Sequence, residues 1–270
     1  MESISNKFSR DGFVAPIRIF SEGETSHYCN LLYSTLLDKL ENPELSEKYV
    51  WQLHLLEPWL AGIVRTELIL DAVEQLLGPN ILVWNSGFII KRPLDQSYTS
   101  WHQDRTFWGL EPARAVTAWV ALTRSSLDNG CLLMMPGTHL EGQIEHTNRY
   151  GEGNMLSRGQ EIELNVSDDR AVAMELQPGE MSLHDVSVVH SSHPNDSGDI
   201  RIGCNITYIS PDVRQTLGPD TAYLVRGQDT FGNFDLARTP RDPLSDTDQA
   251  AYAEAASRRE NILASAPANY

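Results

Sequence analysis

The chain has 270 residues, 41% of them hydrophobic and 21% charged, which is the composition of an ordinary globular protein, and we predict a single domain. The formal net charge of −16 argues against nucleic acid as a partner, because phosphate binding requires a basic face. No apolar run approaches the roughly 20 residues of a membrane helix, and Met1-Glu2-Ser3-Ile4 lacks the features of a signal peptide, so we expect no membrane partner and a cytoplasmic location.

The first part of the chain, about residues 20–78, is predicted to be helical. Ser21 and Glu24 form a capping-box pattern. An amphipathic helix should follow and end near Asn42-Pro43, because apolar residues recur at i+4 spacing: Tyr28, Leu32, Leu36 and Leu40. A second helix is predicted from about Val64 to Leu77, where Gly78-Pro79 stops it, with an apolar stripe of Leu68, Ile69, Val73, Leu76 and Leu77.

From Ile81 to about residue 210 the sequence changes to short β-rich runs separated by turn residues. The predicted strands are Ile81–Lys91, Ala115–Leu122, Cys131–Met135, Ala171–Leu176, Met181–His190 and Ile200–Ser210. Many short strands at this spacing predict a sandwich or barrel. The fold class is therefore mainly β with flanking helices.

Two further segments complete the chain. Glu141–Asp169 has no clear period, and we expect a long loop over one mouth of the barrel, where such loops often act as lids or binding loops. After Pro243 we predict a polar tail, about residues 243–265, with a helix over about Asp246–Ala264. No residue pattern sets the oligomeric state.

The cysteines are odd in number and widely spaced: Cys29, Cys131 and Cys204. A disulfide framework or a structural zinc site is not expected from this arrangement. We predict that the three thiols are reduced.

The segment Trp101-His102-Gln103-Asp104 carries the chemistry of the chain. A histidine and a carboxylate two residues apart on an extended segment point the same way, and a histidine from another strand would complete a 2-His-1-carboxylate face. That face leaves coordination positions open, as non-haem Fe(II) oxygenases require. Arg201 could offer a bidentate fork to a carboxylate. The constellation suggests iron and a 2-oxo acid.

Three histidines compete for the second imidazole position: His184, His190 and His193. If Met181–His190 is one strand, His184 and His190 face the same side. A tight turn through Pro194–Gly198 would then bring Arg201 up the antiparallel neighbour to the level of His190, so the spacing favours His190. We expect His184 to be a core residue or a support for the ligands, and His193 a solvated turn residue.

Several ordered motifs together resemble the phytanoyl-CoA dioxygenase family of Fe(II)/2-oxoglutarate oxygenases. They follow one another from about Ile81 to Ser210 as Trp101-His102-Gln103-Asp104, Asp128-Asn129-Gly130-Cys131-Leu132, Pro136-Gly137-Thr138-His139, His190-Ser191-Ser192, Pro194-Asn195 and Arg201. Thr138 stands where the family has serine.

The resemblance implies a double-stranded β-helix, the cupin-like jelly roll, with Fe(II) held by His102, Asp104 and His190. It also implies 2-oxoglutarate as co-substrate and O2 as oxidant, with Arg201 on the distal carboxylate of 2-oxoglutarate. The other co-substrate residues that it implies are Ser192, Gln103, Trp119 and Lys91, although Lys91 could equally be a surface lysine. Halogenases of the family have a small residue in place of the carboxylate, so Asp104 favours hydroxylation.

Two local features favour a small zwitterionic substrate, with an aminoalkylphosphonate as the best guess. An ammonium group could bind to the aromatic faces of Trp51, Trp59, Tyr98 and Trp108. A phosphonate or carboxylate could bind to Arg105, Arg158 or Arg149. The alternative for these residues is that the tryptophans are core and the arginines are solvated or paired.

Other functions stay open at this point. Tailoring of a natural product by hydroxylation, desaturation or rearrangement fits the same residues. A cupin-like metal enzyme without a 2-oxo acid would leave Arg201 unexplained, a non-catalytic binding module would be expected to lack one of the four residues, and a zinc hydrolase would require more histidines.

Overall fold

Two β-sheets, one large and one small, form the centre of the protein in a computed structural model that describes residues 2–41, 51–149, 151–156, 158–162 and 168–266. The large sheet has the order β1 (Phe13–Arg18), β10 (Glu180–Asp185), β5 (Ala115–Ala121), β12 (Arg201–Ile209), β2 (Ile81–Lys91), β14 (Thr221–Arg226) and β15 (Asp235–Leu236). The small sheet has the order β3 (Thr99–His102), β11 (His190–Ser192), β6 (Leu132–Met134) and β9 (Val172–Ala173).

Two short ribbons lie outside these sheets. They pair β4 (Leu110–Glu111) with β13 (Arg214–Gln215), and β7 (His146–Asn148) with β8 (Gln160–Ile162). Nearly all strand pairs are antiparallel, and β14 with β15 is the parallel pair. This arrangement of a larger and a smaller, mostly antiparallel sheet confirms the predicted jelly roll with flanking helices.

The longest pairing in the large sheet joins β12 to β2, from Arg201 opposite Lys91 to Ile209 opposite Leu82. On its other side β12 pairs with β5, which places Asn205 opposite Trp119. Since alternate residues of a strand point to opposite faces, β12 contributes one row to the helix-covered core and one row to the space between the sheets. Ile202, Cys204, Ile206 and Tyr208 belong to the core row.

The described helices are α1 (Ile4–Asp11), α2 (Glu22–Thr35), α3 (Leu37–Glu41), α4 (Pro58–Ile63), α5 (Glu67–Leu77) and α6 (Asp246–Ser265). The capping box at Ser21 and Glu24 is present. Leu32 and Leu36 are buried in the core. The predicted end of this helical region at Asn42-Pro43 lies outside the described residues.

The predicted second helix is α5, which begins at Glu67, three residues later than predicted, and ends at Leu77. The short helix α4 precedes it and ends at Ile63, before the predicted range begins. Leu68 does not belong to the buried stripe, because 55% of its surface is exposed, whereas Ile69, Val73 and Leu77 are buried. None of the described helices is both long enough and apolar enough to cross a membrane. The final helix lies almost where it was predicted, and its buried residues include Tyr252, Ala255, Arg259 and Ile262.

The predicted strand Met181–His190 was wrong in one important respect, because it is two strands in different sheets. Asp185 ends β10, and its Oδ1 accepts a hydrogen bond from the Ser187 backbone at 2.7 Å. The Val188 backbone then donates to Asp185 O at 3.0 Å. This turn carries the chain from the large sheet into β11 of the small sheet.

The segment predicted as a long loop, Glu141–Asp169, contains the β7–β8 ribbon. Residues 150, 157 and 163–167 of that segment lie outside the described residues. The described part is fastened to β3, since Ser100 Oγ donates to Gln160 O at 2.6 Å and Asn154 Nδ2 donates to Ser100 Oγ at 3.1 Å. The three cysteines are free thiols, as predicted.

Candidate functional site

His102, Asp104 and His190 meet at one end of the small sheet. His102 ends β3, and His190 begins β11 directly opposite it in the strand pairing. Asp104 follows in a short 3-10 helix over Asp104–Phe107. One ligand atom from each residue can be chosen so that all lie within 4.8 Å of one another. The three residues that the sequence selected are therefore brought together.

Both imidazoles present the same nitrogen to the centre of this group. Nε2 of His102 lies 3.5 Å from Asp104 Oδ1, and Nε2 of His190 lies 3.7 Å from the same oxygen. On the far side of each ring, Nδ1 lies 2.8 Å from Ser100 O in His102 and 3.0 Å from Val188 O in His190. Because a carbonyl oxygen can only accept a hydrogen bond, each Nδ1 carries the proton as the donor, and each neutral ring offers the lone pair of its Nε2.

The electrostatics of the group fit a divalent cation. Burial, together with the nearby His102, lowers the pKa of His190 to about 3. Burial alone would raise the pKa of Asp104, but the adjacent His190, His102 and His184 hold it well below its ordinary range. Neutral imidazoles and an ionised carboxylate are the protonation states that metal ligands require. Two histidines and one carboxylate form the donor set of non-haem Fe(II) centres.

The other two candidate histidines are placed as the sequence suggested. His184 lies on β10, is 2% exposed, and has its Nε2 3.5 Å from Asp104 Oδ2. His193 is exposed in the turn after β11. It is the His193 carbonyl that contributes to the interior, by accepting a hydrogen bond from Lys91 Nζ.

Arg201 lines the same cavity as the His-Asp-His group and is fully buried at the start of β12. The predicted route to this position was wrong: β11 and β12 are not neighbours, and Arg201 reaches the cavity from the large sheet while His190 reaches it from the small one. Nη1 of Arg201 donates to Gly130 O. Nε and Nη2 have no partner in the described structure. Burial lowers the pKa of Arg201 to about 10, so it stays charged at neutral pH.

Trp119 and Ser192 line the cavity beside Arg201. The guanidinium carbon of Arg201 is 5.3 Å from the centre of the Trp119 ring, and Trp119 Nε1 is buried with no partner in the described structure. Ser192 Oγ accepts from Lys91 Nζ at 2.8 Å and is 3.0 Å from Thr99 Oγ1. Unsatisfied buried donors beside a buried cation form a pocket suited to a carboxylate.

In the described structure Lys91 and Gln103 do not line the cavity, and their contact with the co-substrate stays a prediction. Lys91 is fully buried, which also rules out an ordinary surface lysine, and it holds the segment that carries Ser192. Gln103 donates to Gly142 O at 2.9 Å and to Ser187 O at 2.7 Å, and it accepts from Ile144 N at 2.9 Å. Both side chains are thus hydrogen-bonded to segments that border the site.

The cavity itself has a volume of about 290 Å³ and is walled mainly by aromatic and aliphatic side chains. These are Trp51, Phe88, Ile89, Phe107, Trp108, Trp119, Leu132, Met155, Leu156 and Leu263. Among the described residues, its charged or ionisable lining consists of His102, Asp104, His184, His190 and Arg201. The region beyond the metal and co-substrate positions is therefore largely apolar.

Of the predicted substrate residues, Trp108 and Trp51 line the cavity, whereas Tyr98, Arg105 and Arg158 do not. Trp59 lies behind the wall and stacks on Phe88 at 5.9 Å. Arg105 Nη1 is 3.4 Å from Ser187 Oγ, and Arg158 lies 4.5 Å over the ring of Phe107. Arg149 is exposed and 3.7 Å from Glu161.

Sequence reasoning missed the amides of the cavity, which are Asn85, Asn205 and Gln160. Asn205 shares the strand face of Arg201, four residues further along β12, so the strand period could have revealed it. Gln160 Oε1 is buried with no partner in the described structure. Leu263 comes from the distant helix α6, and no local signal marks it.

Solved structures of known proteins share this architecture. "Non-heme monooxygenase; ThoJ apo" matches with a TM-score of 0.87 and 31% identity over 97% of this chain and 98% of that one. "CytC3 with Fe(II) and alpha-ketoglutarate" matches with a TM-score of 0.66 and 27% identity over 89% and 96%. α-Ketoglutarate is another name for 2-oxoglutarate. Together with the His-Asp-His group, these matches place the chain in the class of Fe(II)/2-oxoglutarate-dependent oxygenases.

Within that class, the family model "Phytanoyl-CoA dioxygenase (PhyH)" matches residues 8–203, and the chain belongs to this family. A probable alpha-ketoglutarate-dependent hypophosphite dioxygenase of Stutzerimonas stutzeri is 30% identical over 206 residues, which are 75% of this chain and 68% of that protein. A phytanoyl-CoA dioxygenase domain-containing protein 1 homolog of Dictyostelium discoideum is 30% identical over 59% of this chain and 58% of its own length.

An ectoine dioxygenase of Streptomyces anulatus is 28% identical over 49% of each chain. The matched segment thus spans about half to two thirds of these curated relatives. Fe(II) and 2-oxoglutarate are the metal and co-substrate that the family and the site support. The rival classes, a cupin-like enzyme without a 2-oxo acid, a binding module and a zinc hydrolase, receive no support from these matches.

Proposed function

We propose that this chain hydroxylates a C–H bond of a small molecule, with Fe(II) held by His102, Asp104 and His190. One observation carries the proposal: three residues whose ligand atoms lie within 4.8 Å of one another line the same cavity as the buried Arg201. A three-residue ligand set leaves positions open for a chelating oxo acid and for O2. Retention of the Asp104 carboxylate favours hydroxylation over halogenation.

The bound metal with 2-oxoglutarate and O2 supplies the oxidation of the C–H bond. The residues of the chain bind and orient the reactants. Arg201 offers Nε and Nη2 to the distal carboxylate of 2-oxoglutarate, Trp119 lies beside it, and Ser192 is held in place by Lys91. The apolar wall keeps water away from the reacting carbon.

For the substrate, an aminoalkylphosphonate-type zwitterion has two supports. A relative is named as a probable hypophosphite dioxygenase, and the faces of Trp51 and Trp108 line the cavity, where they could contact an ammonium group. Against it, none of the arginines proposed for the phosphonate lines the cavity in the described structure. An anion buried without a partner is costly.

A second substrate class, a largely apolar natural-product intermediate, is favoured by the cavity wall. Phe88, Phe107 and Leu263 offer apolar surface, while Asn85 and Asn205 offer neutral hydrogen-bonding groups. Hydroxylation, desaturation and rearrangement of such a molecule all require the same metal and co-substrate. The geometry supports this class better than the zwitterion.

The proposal is tested by anaerobic titration of the purified protein with Fe(II) and 2-oxoglutarate, following the visible charge-transfer band of the chelated oxo acid. We expect a band that His190→Ala abolishes and Arg201→Ala weakens. Absence of the band despite bound metal would overturn the proposal. Succinate release with a panel of phosphonate zwitterions and of neutral aromatic compounds then separates the two substrate classes.

A further inference from the structure

The two carboxylate oxygens of Asp104 have different surroundings. Oδ1 faces Nε2 of His102 and Nε2 of His190, at 3.5 and 3.7 Å. Oδ2 faces His184 Nε2 at 3.5 Å, and it accepts a hydrogen bond from Thr117 Oγ1 at 3.3 Å. One oxygen therefore belongs to the ligand group, and the other is directed at two side chains of the large sheet.

His184 has no other polar contact that would explain its burial. Both of its ring nitrogens are buried with no hydrogen-bond partner in the described structure. Its ring packs against His190, with 5.0 Å between ring centres and an interplanar angle of 53°. Buried polar atoms are paired in the great majority of cases, so an orphaned imidazole beside a carboxylate requires an explanation.

The large sheet fixes the positions of both side chains that face Oδ2. His184 on β10 is directly opposite Thr117 on β5 in the antiparallel pairing. Directly opposite residues point to the same face of a sheet. Both residues are buried, Thr117 completely and His184 with 2% exposure. The strand register therefore presents a hydroxyl and an imidazole to the same carboxylate oxygen.

His184 is not a fourth ligand of the same group. The His-Asp-His set has ligand atoms that all lie within 4.8 Å of one another, and His184 does not join it as a fourth member. Its polar contact with the set is through Oδ2, whereas His102 and His190 face Oδ1. The geometry fits a residue that contacts and orients the carboxylate of Asp104.

We infer that His184 is a positioning residue which, together with Thr117, holds Oδ2 of Asp104 so that the carboxylate binds the metal through Oδ1 alone. This inference rests on the proposed function, since it requires a metal at the His-Asp-His group. With the proton on Nε2, a small rotation of either side chain lets His184 donate to Oδ2, which lies 3.5 Å away. A carboxylate held in this way occupies one coordination position, so the position that a second oxygen would take stays open.

Substitutions at His184 test the inference through metal binding and spectra, without any need for the substrate. His184→Phe keeps a ring but removes the donor, whereas His184→Gln keeps an amide donor. Ser182→Ala is the matched control, because Ser182 is a buried residue of the same strand, two positions before His184. Co(II) is the probe: its affinity is measured by calorimetry and its coordination number by the intensity of its visible d–d bands.

We expect His184→Phe to weaken Co(II) binding by about 10- to 100-fold, as loss of a partner that orients a metal ligand typically does. The d–d bands should also lose intensity, because a second carboxylate oxygen raises the coordination number. His184→Gln should restore both values to within a few-fold of the wild type, and Ser182→Ala should change neither. Circular dichroism and thermal unfolding establish that each variant is folded.

Three results would overturn the inference. His184→Phe could match the wild type in affinity and spectrum, His184→Gln could be as impaired as His184→Phe, or His184→Phe could lose the metal as completely as His190→Ala. The last result would make His184 a ligand. If the wild type itself binds no metal at this group, it is the proposed function that fails.

Discussion

Arg201 lies against the face of Trp119, with 5.3 Å between the guanidinium carbon and the ring centre. The two residues come from neighbouring strands of the large sheet, β12 and β5. The ring can occupy this place because Gly203, two residues after Arg201, has no side chain: a Cβ atom there would overlap the six-membered ring of Trp119. A glycine in a strand interior thus makes room for one wall of the co-substrate pocket.

The change Gly203→Ala should therefore weaken 2-oxoglutarate binding. The added methyl group must displace Trp119 or shift β12, and we expect a dissociation constant raised by about tenfold or more together with a loss of stability of roughly 1–3 kcal/mol. Gly62→Ala is the control, since a Cβ at Gly62 meets nothing within 4 Å. Calorimetry with 2-oxoglutarate and thermal unfolding provide the two readouts. Equal affinities in the two variants would contradict this account of Gly203.

Loss of the guanidinium fork should act on 2-oxoglutarate and not on the metal. Arg201→Met removes two charge-assisted hydrogen bonds, each worth about 1.5–3 kcal/mol, so the affinity for 2-oxoglutarate should fall by about 100-fold or more. Arg201→Lys keeps the charge but loses the two-pronged guanidinium donor. Its affinity for 2-oxoglutarate should therefore lie between those of Arg201→Met and the wild type. The affinity of both variants for Co(II) should stay within a few-fold of the wild-type value.

Arg105→Met is the matched control for this experiment. Arg105 lies close to the metal group in sequence, but it does not line the cavity. We expect its variant to bind both 2-oxoglutarate and Co(II) like the wild type. If Arg105→Met lowered the affinity for 2-oxoglutarate as much as Arg201→Met does, a nearby positive charge would be enough to explain binding, and the guanidinium fork of Arg201 would not be required.

The sequence predicted the metal group because its determinants are local. A His-x-Asp pair at a strand end is visible in the chain itself, and the ordered turns restrict how the strands connect. His190 was selected although it was predicted at the end of the strand Met181–His190, whereas it begins β11. The position of Arg201 was predicted for the wrong reason. The valine-rich segment Val186–Val189 continues a strand pattern, but the turn at Asp185 carries the chain into another sheet.

The cavity wall around the substrate position could not be predicted in the same way, since its residues come from distant parts of the chain. Trp51, Asn205 and Leu263 line one cavity. No spacing rule connects them, because long-range packing decides which side chains face the cavity. Gln103 illustrates a second limit: a motif names the residue, but only the positions of Gly142 and Ser187 show that its amide binds backbone groups.

Binding of 2-oxoglutarate should be coupled to proton uptake by Lys91. Burial, together with the nearby Arg201, lowers the pKa of Lys91 to about 7. A carboxylate at Arg201 opposes that repulsion and raises the pKa of Lys91 again. Below pH 7 the lysine is protonated before and after binding. Above pH 7 the free protein holds a neutral amine, so binding takes up a proton and the affinity falls as the pH rises.

Calorimetry at pH 8 in two buffers of different ionisation enthalpy measures this proton uptake. Lys91→Met should take up no proton, and its affinity for 2-oxoglutarate should be nearly independent of pH between about 7 and 9. Proton uptake of the same size in wild type and variant would assign the coupling to another group.

Helix α6 should depend on one buried ion pair for its place beside the cavity. Arg259 is 1% exposed, lies 3.6 Å over the ring of Trp84, and has its Nη2 3.2 Å from Asp220 Oδ2. Trp84 Nε1 donates to the same oxygen at 2.7 Å. Leu263, one turn further along the helix, lines the cavity. Arg259 therefore connects the anchoring of the helix to the shape of the substrate site.

Arg259→Met leaves the Asp220 carboxylate buried without its cation, and this should lower the free energy of unfolding by about 3–5 kcal/mol. Adding Asp220→Asn to the same chain removes the buried charge, so the double variant should recover a large part of that loss. Chemical denaturation of the wild type, both single variants and the double variant gives the coupling energy. If the double variant were as unstable as the sum of the single variants, the two side chains would be independent, and the helix would be held by its apolar face alone.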